Sequence, residues 1–182
     1  MKRLLYLTVA LVVGIASAAF AANYGDTFQI TFTPTGDRGV YIDSDTVPLG
    51  DLALGAGYDT NAIPTHSTGT VANIEYSISA TESGSATNLT ANGTATPTAD
   101  EIQVQAVFDA DGGTFGWAAN DNVDGTVRPV DDGVNFVTGD VSMEDLGLNQ
   151  LRKLYCRVTL PSVVNYSGVQ TITVTLTARQ GD

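Results

Sequence analysis

The chain has 182 residues, and its 20 acidic residues against eight basic ones give a formal net charge of −12. A surface this negative repels phosphate backbones, so the composition argues against nucleic acid as a partner. Cys156 is the single cysteine, which excludes a disulfide within the chain.

The first segment of the chain has the three parts of a secretory signal peptide. Lys2 and Arg3 supply the positive charge, and Ala19-Phe20-Ala21 fits the small-residue cleavage pattern. The apolar run between them has about 13 residues, whereas a membrane-spanning helix needs roughly 20. We therefore predict that residues 1–21 are a cleaved signal peptide and that residues 22–182 form a single exported domain. This domain would be secreted, periplasmic or on the cell surface, without a membrane span.

Alternation of apolar and polar residues is the main structural signal in the exported part. Such alternation places the apolar side chains of a strand on one face and the polar side chains on the other. One apolar face per strand is typical of an antiparallel sandwich. We predict an all-β fold, an antiparallel Ig-like β-sandwich of about seven to nine strands. The clearest strands are 27–33, 71–81, 101–109, 153–161 and 171–178, and shorter candidates are 39–42, 47–54, 85–90 and 133–137.

One segment has the pattern of a helical turn. Ser142 can act as an N-cap, Glu144 and Asp145 suit a first turn, and Gly147 limits its length. We predict at most one short helical turn, near residues 142–148.

Residues 109–132 are rich in Asp, Asn and Gly. Calcium binds carboxylate and carbonyl oxygens on loops, and Asn120-x-Asn122-x-Asp124-Gly125 resembles the spacing of an EF-hand loop, although no helices flank it. The alternative is that these residues simply build turns. The predicted calcium ligands are Asp109, Asp111, Asn120, Asn122, Asp124 and Asp131.

The same segment contains Trp117, the only tryptophan of the chain. Together with Phe115 it could stack on a sugar ring, whose hydroxyls the neighbouring Asp and Asn side chains would bind. The alternative is a tryptophan packed in the sandwich core, since large aromatic residues dominate cores. Phe115 and Trp117 are thus the predicted glycan-binding residues.

The sequence contains none of the common catalytic motifs. His66 is the only histidine, and its surroundings read as an exposed loop between residues 55 and 69. No nucleophile elbow, zinc-protease motif or phosphate-binding loop is present. We predict that the protein is not an enzyme and has no cofactor other than the calcium considered above. Cys156 falls on the apolar face of its strand, which predicts a buried, inert thiol.

The stretch from Leu160 to Leu176 combines Pro161, the turn Asn165-Tyr166-Ser167-Gly168 and a threonine-alternating strand. It resembles the last hairpin of secreted bacterial Ig-like surface proteins of the spore-coat-U-like, WxL-type and pilus-subunit kinds. The resemblance covers about the last 30 residues and implies a structural or surface role. No functional residue is carried over, because the W-x-L tripeptide and the cysteine pair of pilus subunits are absent.

Two functions follow from these observations. The first is a bacterial, non-enzymatic structural or cell-surface protein, a self-assembling or adhesive subunit. In this hypothesis, strand 171–178 pairs with the sheet edge of a neighbouring subunit, either another copy of the chain or another surface subunit. The alternative is a secreted carbohydrate- or calcium-binding module that uses the loop region 109–132.

Overall fold

The computed structural model describes most of the chain beyond the predicted signal peptide, and residues 1–21 lie outside the described part. No helix among the described residues is long and apolar enough to cross a membrane. The described residues are 27–35, 39–44, 46–68, 73–83, 88–89, 97–109, 116–132, 134–138, 141–165 and 169–181.

Strands dominate the described residues, and they form two sheets. The strands are β1 (Thr27–Thr35), β2 (Gly39–Ile42), β3 (Thr46–Asp51), β4 (Gly57–Asp59), β5 (Ile63–Thr68), β6 (Ile74–Ser83), β7 (Asn88–Leu89), β8 (Glu101–Asp109), β9 (Arg128–Pro129), β10 (Leu151–Thr159) and β11 (Gln170–Gln180). Sheet A has the order β3-β1-β11-β6-β9, and sheet B has the order β2-β5-β10-β8-β7, with β4 also beside β10. The predicted all-β sandwich is confirmed, with more strands than the seven to nine expected.

The predicted apolar faces of β6, β8, β10 and β11 form much of the core between the sheets. Each fully buried aliphatic side chain contributes about 1.5–3 kcal/mol of transfer free energy, so this alternation is the main source of stability. The interior position of Cys156 is confirmed. The core residues of these four strands, together with Leu160 directly after β10, are Ile74, Tyr76, Ile78, Ala80, Ile102, Val104, Ala106, Phe108, Leu154, Cys156, Val158, Leu160, Ile172, Val174, Leu176 and Ala178.

The last two strands do not form a hairpin. β10 lies in sheet B, whereas β11 lies in sheet A. The interpretation of this stretch as a hairpin is therefore wrong. β11 also pairs with β1 in parallel and with β6 in antiparallel orientation, so both of its edges are occupied. Because both edges of β11 already pair within the chain, the expectation that strand 171–178 pairs with a neighbouring subunit is wrong.

β4 and β5 lie in the segment between residues 55 and 69 that was predicted to be a loop. The inward positions of β5 include Thr65 and Ser67, which are fully buried although they are polar. The Thr65 hydroxyl donates to the Arg152 carbonyl at 3.1 Å, and the Ser67 hydroxyl donates to the Gly147 carbonyl at 2.5 Å. Because these hydrogen bonds satisfy the hydroxyls, the strand is buried without the apolar alternation that would have marked it.

The predicted helical turn near residues 142–148 is not present. Asp145 has a φ of 48°, in the left-handed region, and Leu146 exchanges two backbone hydrogen bonds with Ile74 at 2.8 and 3.1 Å. Pairing with β6 thus takes the backbone groups that a helix would use. The helical turn of the described residues lies instead at Ala119–Asp121, where the Asp121 carboxylate accepts the Ala118 N–H at 2.7 Å.

Candidate binding surfaces

The described residues between 116 and 148 (116–132, 134–138 and 141–148), which we call the arm, include segments that lie along the edge of sheet B beside β8. The Val123 N–H donates to the Val104 carbonyl at 2.9 Å, and the Phe108 N–H donates to the Phe136 carbonyl at 2.7 Å. The Thr138 N–H donates to the Phe108 carbonyl at 3.1 Å. The described parts of the arm therefore act as short extra strands along β8.

The arm also covers the free edge of sheet A. The Ala80 N–H donates to the Asp124 carbonyl at 2.7 Å, and the Val130 N–H donates to the Tyr76 carbonyl at 2.9 Å. Leu146 completes this edge by pairing with Ile74. The arm thus pairs with the edges of both sheets on one side of the sandwich.

The arm contains most of the residues predicted to bind calcium, and its structure spreads them apart. Asp109 ends β8 opposite Lys153, whereas Asn122 pairs with Gln105, which lies four residues or about 13 Å away along the strand. Asn122 is buried, and its Oδ1 accepts a hydrogen bond from Gln103 at 3.1 Å.

The other predicted ligands have structural partners as well. The Asn120 amide donates to the Val134 carbonyl. Asp124 accepts the Thr126 N–H and the Arg128 guanidinium, both at 2.7 Å, and Asp131 lies 3.7 Å from the guanidinium of Arg179. Asp111 lies outside the described residues. Among the described residues no group of three or more His, Cys, Asp or Glu side chains could hold a metal ion, and calcium binding stays a prediction.

Trp117 lies outside the sandwich core, in contrast to the core alternative, and is half-buried. The Arg157 guanidinium carbon lies 5.0 Å from the centroid of its ring, and Asp59 accepts two hydrogen bonds from that guanidinium at 2.6 and 2.8 Å. We call these three residues the Trp117 cluster. Phe115, the second predicted glycan-binding residue, lies outside the described residues. The cluster places an aromatic ring and polar groups together on the outer face of sheet B.

A second exposed group crosses the same face. Tyr41 on β2 pairs with His66 on β5, and His66 pairs with Leu151 on β10, so the three side chains form one row, which we call the Tyr41 row. Tyr41 is 55% exposed and Leu151 is 48% exposed. The ring centroids of Tyr41 and His66 lie 6.1 Å apart. Sequence reasoning missed this row because it placed His66 in a loop.

The single histidine has a carboxylate partner. His66 Nε2 lies 3.4 Å from the Asp43 carboxylate, near the end of the Tyr41 row. Ser67, the adjacent hydroxyl residue, points to the opposite face and bonds with the loop at Gly147. The structure therefore joins the imidazole to a carboxylate, without placing the adjacent serine beside it.

Burial shifts the proton affinities of Cys156 and Asp121. Burial raises the pKa of the Cys156 thiol to about 12. Burial also raises the pKa of Asp121, although backbone N–H groups of Ala118 and Phe136 partly oppose the shift. Both groups lie within the packed structure, and their environment keeps them in the neutral form more than water would.

No family model matches the chain, and no curated protein matches it either. The function of the protein is therefore inferred from its fold and from the surfaces described above.

Proposed function

We propose that the protein is an exported, non-enzymatic structural protein of the bacterial cell surface, an adhesive subunit that works by contact. The observation that carries this proposal is the asymmetry of the sandwich. The arm pairs with both sheet edges on one side, whereas no described segment pairs with the outer edges of β2 and β3 on the other. An uncovered edge is a place where another chain can add a strand.

The outer faces add support for a contact function. The Tyr41 row exposes an aromatic and an aliphatic side chain next to the β2 edge. Aromatic residues are enriched in protein interfaces because they bury a large area with little loss of conformational freedom. Adhesion through this side of the sandwich would use both the strand edge and the adjacent row.

The environment of His66 supports the non-enzymatic part of the proposal. A catalytic triad needs a nucleophile next to the imidazole and a carboxylate that orients it. Asp43 could orient His66, but Ser67 faces the core and its hydroxyl is bonded to Gly147. The pair is better suited to hold the end of β2 against β5.

Export is tested by producing the full chain in a bacterial host and fractionating the cells. We expect a protein that begins at Ala22 in the periplasmic or extracellular fraction, as measured by intact mass. A cytoplasmic protein that retains residues 1–21 would contradict the proposal. Labelling of intact cells with a membrane-impermeant amine reagent, through Lys153 or the new N-terminus, then separates a surface location from a periplasmic one.

A second candidate function is carbohydrate or calcium binding through residues 109–132. It is favoured by the position of Trp117 outside the core, with polar partners beside it. Because Trp117 is the only tryptophan, its fluorescence reports on this region alone. Titration with neutral sugars and, separately, with calcium should change the emission if this candidate is correct. An unchanged emission, together with an unchanged melting temperature in calcium and in chelator, would remove it.

A further inference from the structure

We propose that β2 is a self-pairing edge, through which two copies of the chain join their B sheets about a twofold axis at Tyr41. This inference rests on the proposed function, because it names the partner of the uncovered side as a second copy. It follows from the composition of β2, the direction of its backbone groups and the position of its exposed side chain.

The other described edges carry features that oppose strand addition. β3 contains Pro48 and Asp51, β4 has three residues and ends in Asp59, β7 has two residues, and β9 has two residues including Pro129. Prolines, charges and short length are the usual protection of sheet edges. β2 has four residues, Gly-Val-Tyr-Ile, with neither proline nor charge. It is the described edge least protected against pairing.

The backbone groups of β2 alternate in direction. The Asp43 N–H donates to the carbonyl of Pro64, the residue opposite it, at 3.2 Å. In an antiparallel ladder, residues that exchange hydrogen bonds alternate with residues that do not. Tyr41 therefore directs its N–H and C=O towards β5, whereas Val40 and Ile42 direct theirs away from the sheet. No described segment of the chain pairs with these outward groups, so another strand can pair with them.

The antiparallel register that uses these groups is symmetric. It places Val40 of one copy opposite Ile42 of the other, with four backbone hydrogen bonds in total, and Tyr41 opposite its own copy. In such an arrangement the Tyr41 pair is the non-hydrogen-bonded kind, in which the side chains approach most closely. The Tyr41 row of each copy then continues into that of the other, so the exposed aromatic and aliphatic groups become one stripe across the joined sheet.

Charge is compatible with this register. The carboxylate of Asp43 comes opposite Gly39 of the second copy, which has no side chain to obstruct it, and the two Asp43 carboxylates lie at opposite ends of the pair. Each one also has His66 as a partner at 3.4 Å. A chain with a net charge of −12 can thus pair at this edge without bringing two carboxylates face to face.

The size of the contact sets its strength. Four residues of strand and one row of side chains place the interface at the small end of known interfaces, below about 1,200 Å² in total. We therefore expect a weak, concentration-dependent dimer that becomes important where many copies are held together on a surface.

The test is a disulfide across the twofold axis. A non-hydrogen-bonded antiparallel pair has Cα atoms about 4.5 Å apart, which lies in the range that a disulfide spans. The mature Tyr41→Cys variant should form a covalent dimer with oxidised glutathione as the oxidant. The native Cys156 does not compete, because it is completely buried. The matched control is Val127→Cys, which places a thiol at a residue that is exposed but far from β2 in the sequence.

The expected result is dimer from Tyr41→Cys in large excess over dimer from Val127→Cys, at equal protein concentration and with both variants folded by circular dichroism. Equal dimer yields from the two variants would overturn the proposal. Sedimentation of the protein with native Tyr41 should show a mass that increases with protein concentration. Tyr41→Lys should abolish this increase, because it places two positive charges next to each other at the twofold axis. A mass that stays monomeric at all concentrations, or one that Tyr41→Lys leaves unchanged, would equally refute it. Export and surface location are measured separately, so a failure of pairing and a failure of the proposed function give different results.

Discussion

The guanidinium of Arg157 covers the ring of Trp117, with its central carbon 5.0 Å from the ring centroid. Asp59 holds the guanidinium in place through two hydrogen bonds. Replacement of Arg157 by Ala should uncover the ring and destabilise the fold by about 1 kcal/mol, since a cation–π contact and a surface ion pair are each worth about that or less. The measurement is Trp117 fluorescence, in which the emission should shift to longer wavelength and acrylamide should quench it more strongly.

The control for this prediction is Arg157→Lys, which keeps the charge but loses the planar fork that matches Asp59. The emission wavelength and the acrylamide quenching of Arg157→Lys should lie between those of the original protein and those of Arg157→Ala. If all three proteins gave the same emission and the same quenching, the contact between Arg157 and Trp117 would not exist in solution.

The arm can be tested through two leucines that are close in sequence. Leu146 is buried and pairs with Ile74, whereas Leu148 is 45% exposed. Leu146→Ala should lower the free energy of unfolding by about 2–5 kcal/mol, because it leaves a cavity where the arm packs on the core. Leu148→Ala should change it by less than about 0.5 kcal/mol. Urea denaturation measures both, and similar losses for the two variants would show that the arm is not packed as described.

Alternation of apolar and polar residues predicted β6, β8, β10 and β11, and the described residues of their predicted apolar faces lie in the core. It failed at β5, where Thr65 and Ser67 take inward positions. Their hydroxyls are satisfied by Arg152 and Gly147, which are 87 and 80 residues away in the chain. Local sequence contains no record of such distant partners, so a buried polar strand looks like a loop.

The acidic segment shows a different limit of sequence reasoning. Its Asp and Asn residues suit both calcium sites and turns, and the choice depends on where the chain places their oxygens. In the structure, Asp121 caps the turn at Ala118, Asp124 binds Arg128, and Asn122 binds Gln103. Composition identified residues 109–132 as unusual. Their backbone pairing with the edges of both sheets involves strands distant in the sequence, so local sequence could not predict it.

The thiol of Cys156 should be inert in the folded protein. It is completely buried, and burial raises its pKa to about 12, so almost no thiolate exists near neutral pH. A thiol reagent at pH 8 should therefore label the folded protein very slowly and the urea-unfolded protein completely. Rapid labelling of the folded protein would contradict this placement.

The same site also gives a stability prediction. Cys156→Ser buries a hydroxyl between apolar residues and should cost about 1–3 kcal/mol through desolvation. Cys156→Ala is the control, since it removes the sulfur without adding a polar group and should cost less than the serine variant. A serine variant as stable as the alanine variant would indicate that the serine hydroxyl finds a partner or that the site is wet.

The carboxyl of Asp121 gives a pH-dependent prediction whose sign can be worked out. Burial raises its pKa in the folded protein above the ordinary 3.8, so between these two values the folded state binds more protons than the unfolded state. The contribution of Asp121 to stability therefore increases as the pH falls from neutral through the raised pKa towards 3.8. Asp121→Asn keeps an oxygen that can accept the Ala118 N–H but removes the titration. Its stability relative to the original protein should be greatest at pH 7 and should decrease towards acid pH.

General charge repulsion also changes with pH in so acidic a protein, and it must be separated from the effect of Asp121. Glu144→Gln is the matched control, because it removes one exposed carboxylate from the same arm. Free energies of unfolding from urea denaturation at several pH values between 4 and 7 should show a steeper pH dependence of the stability difference for Asp121→Asn than for Glu144→Gln. Parallel dependences for the two variants would mean that the burial of Asp121 has no specific effect, and that the turn at Ala119–Asp121 is open to water.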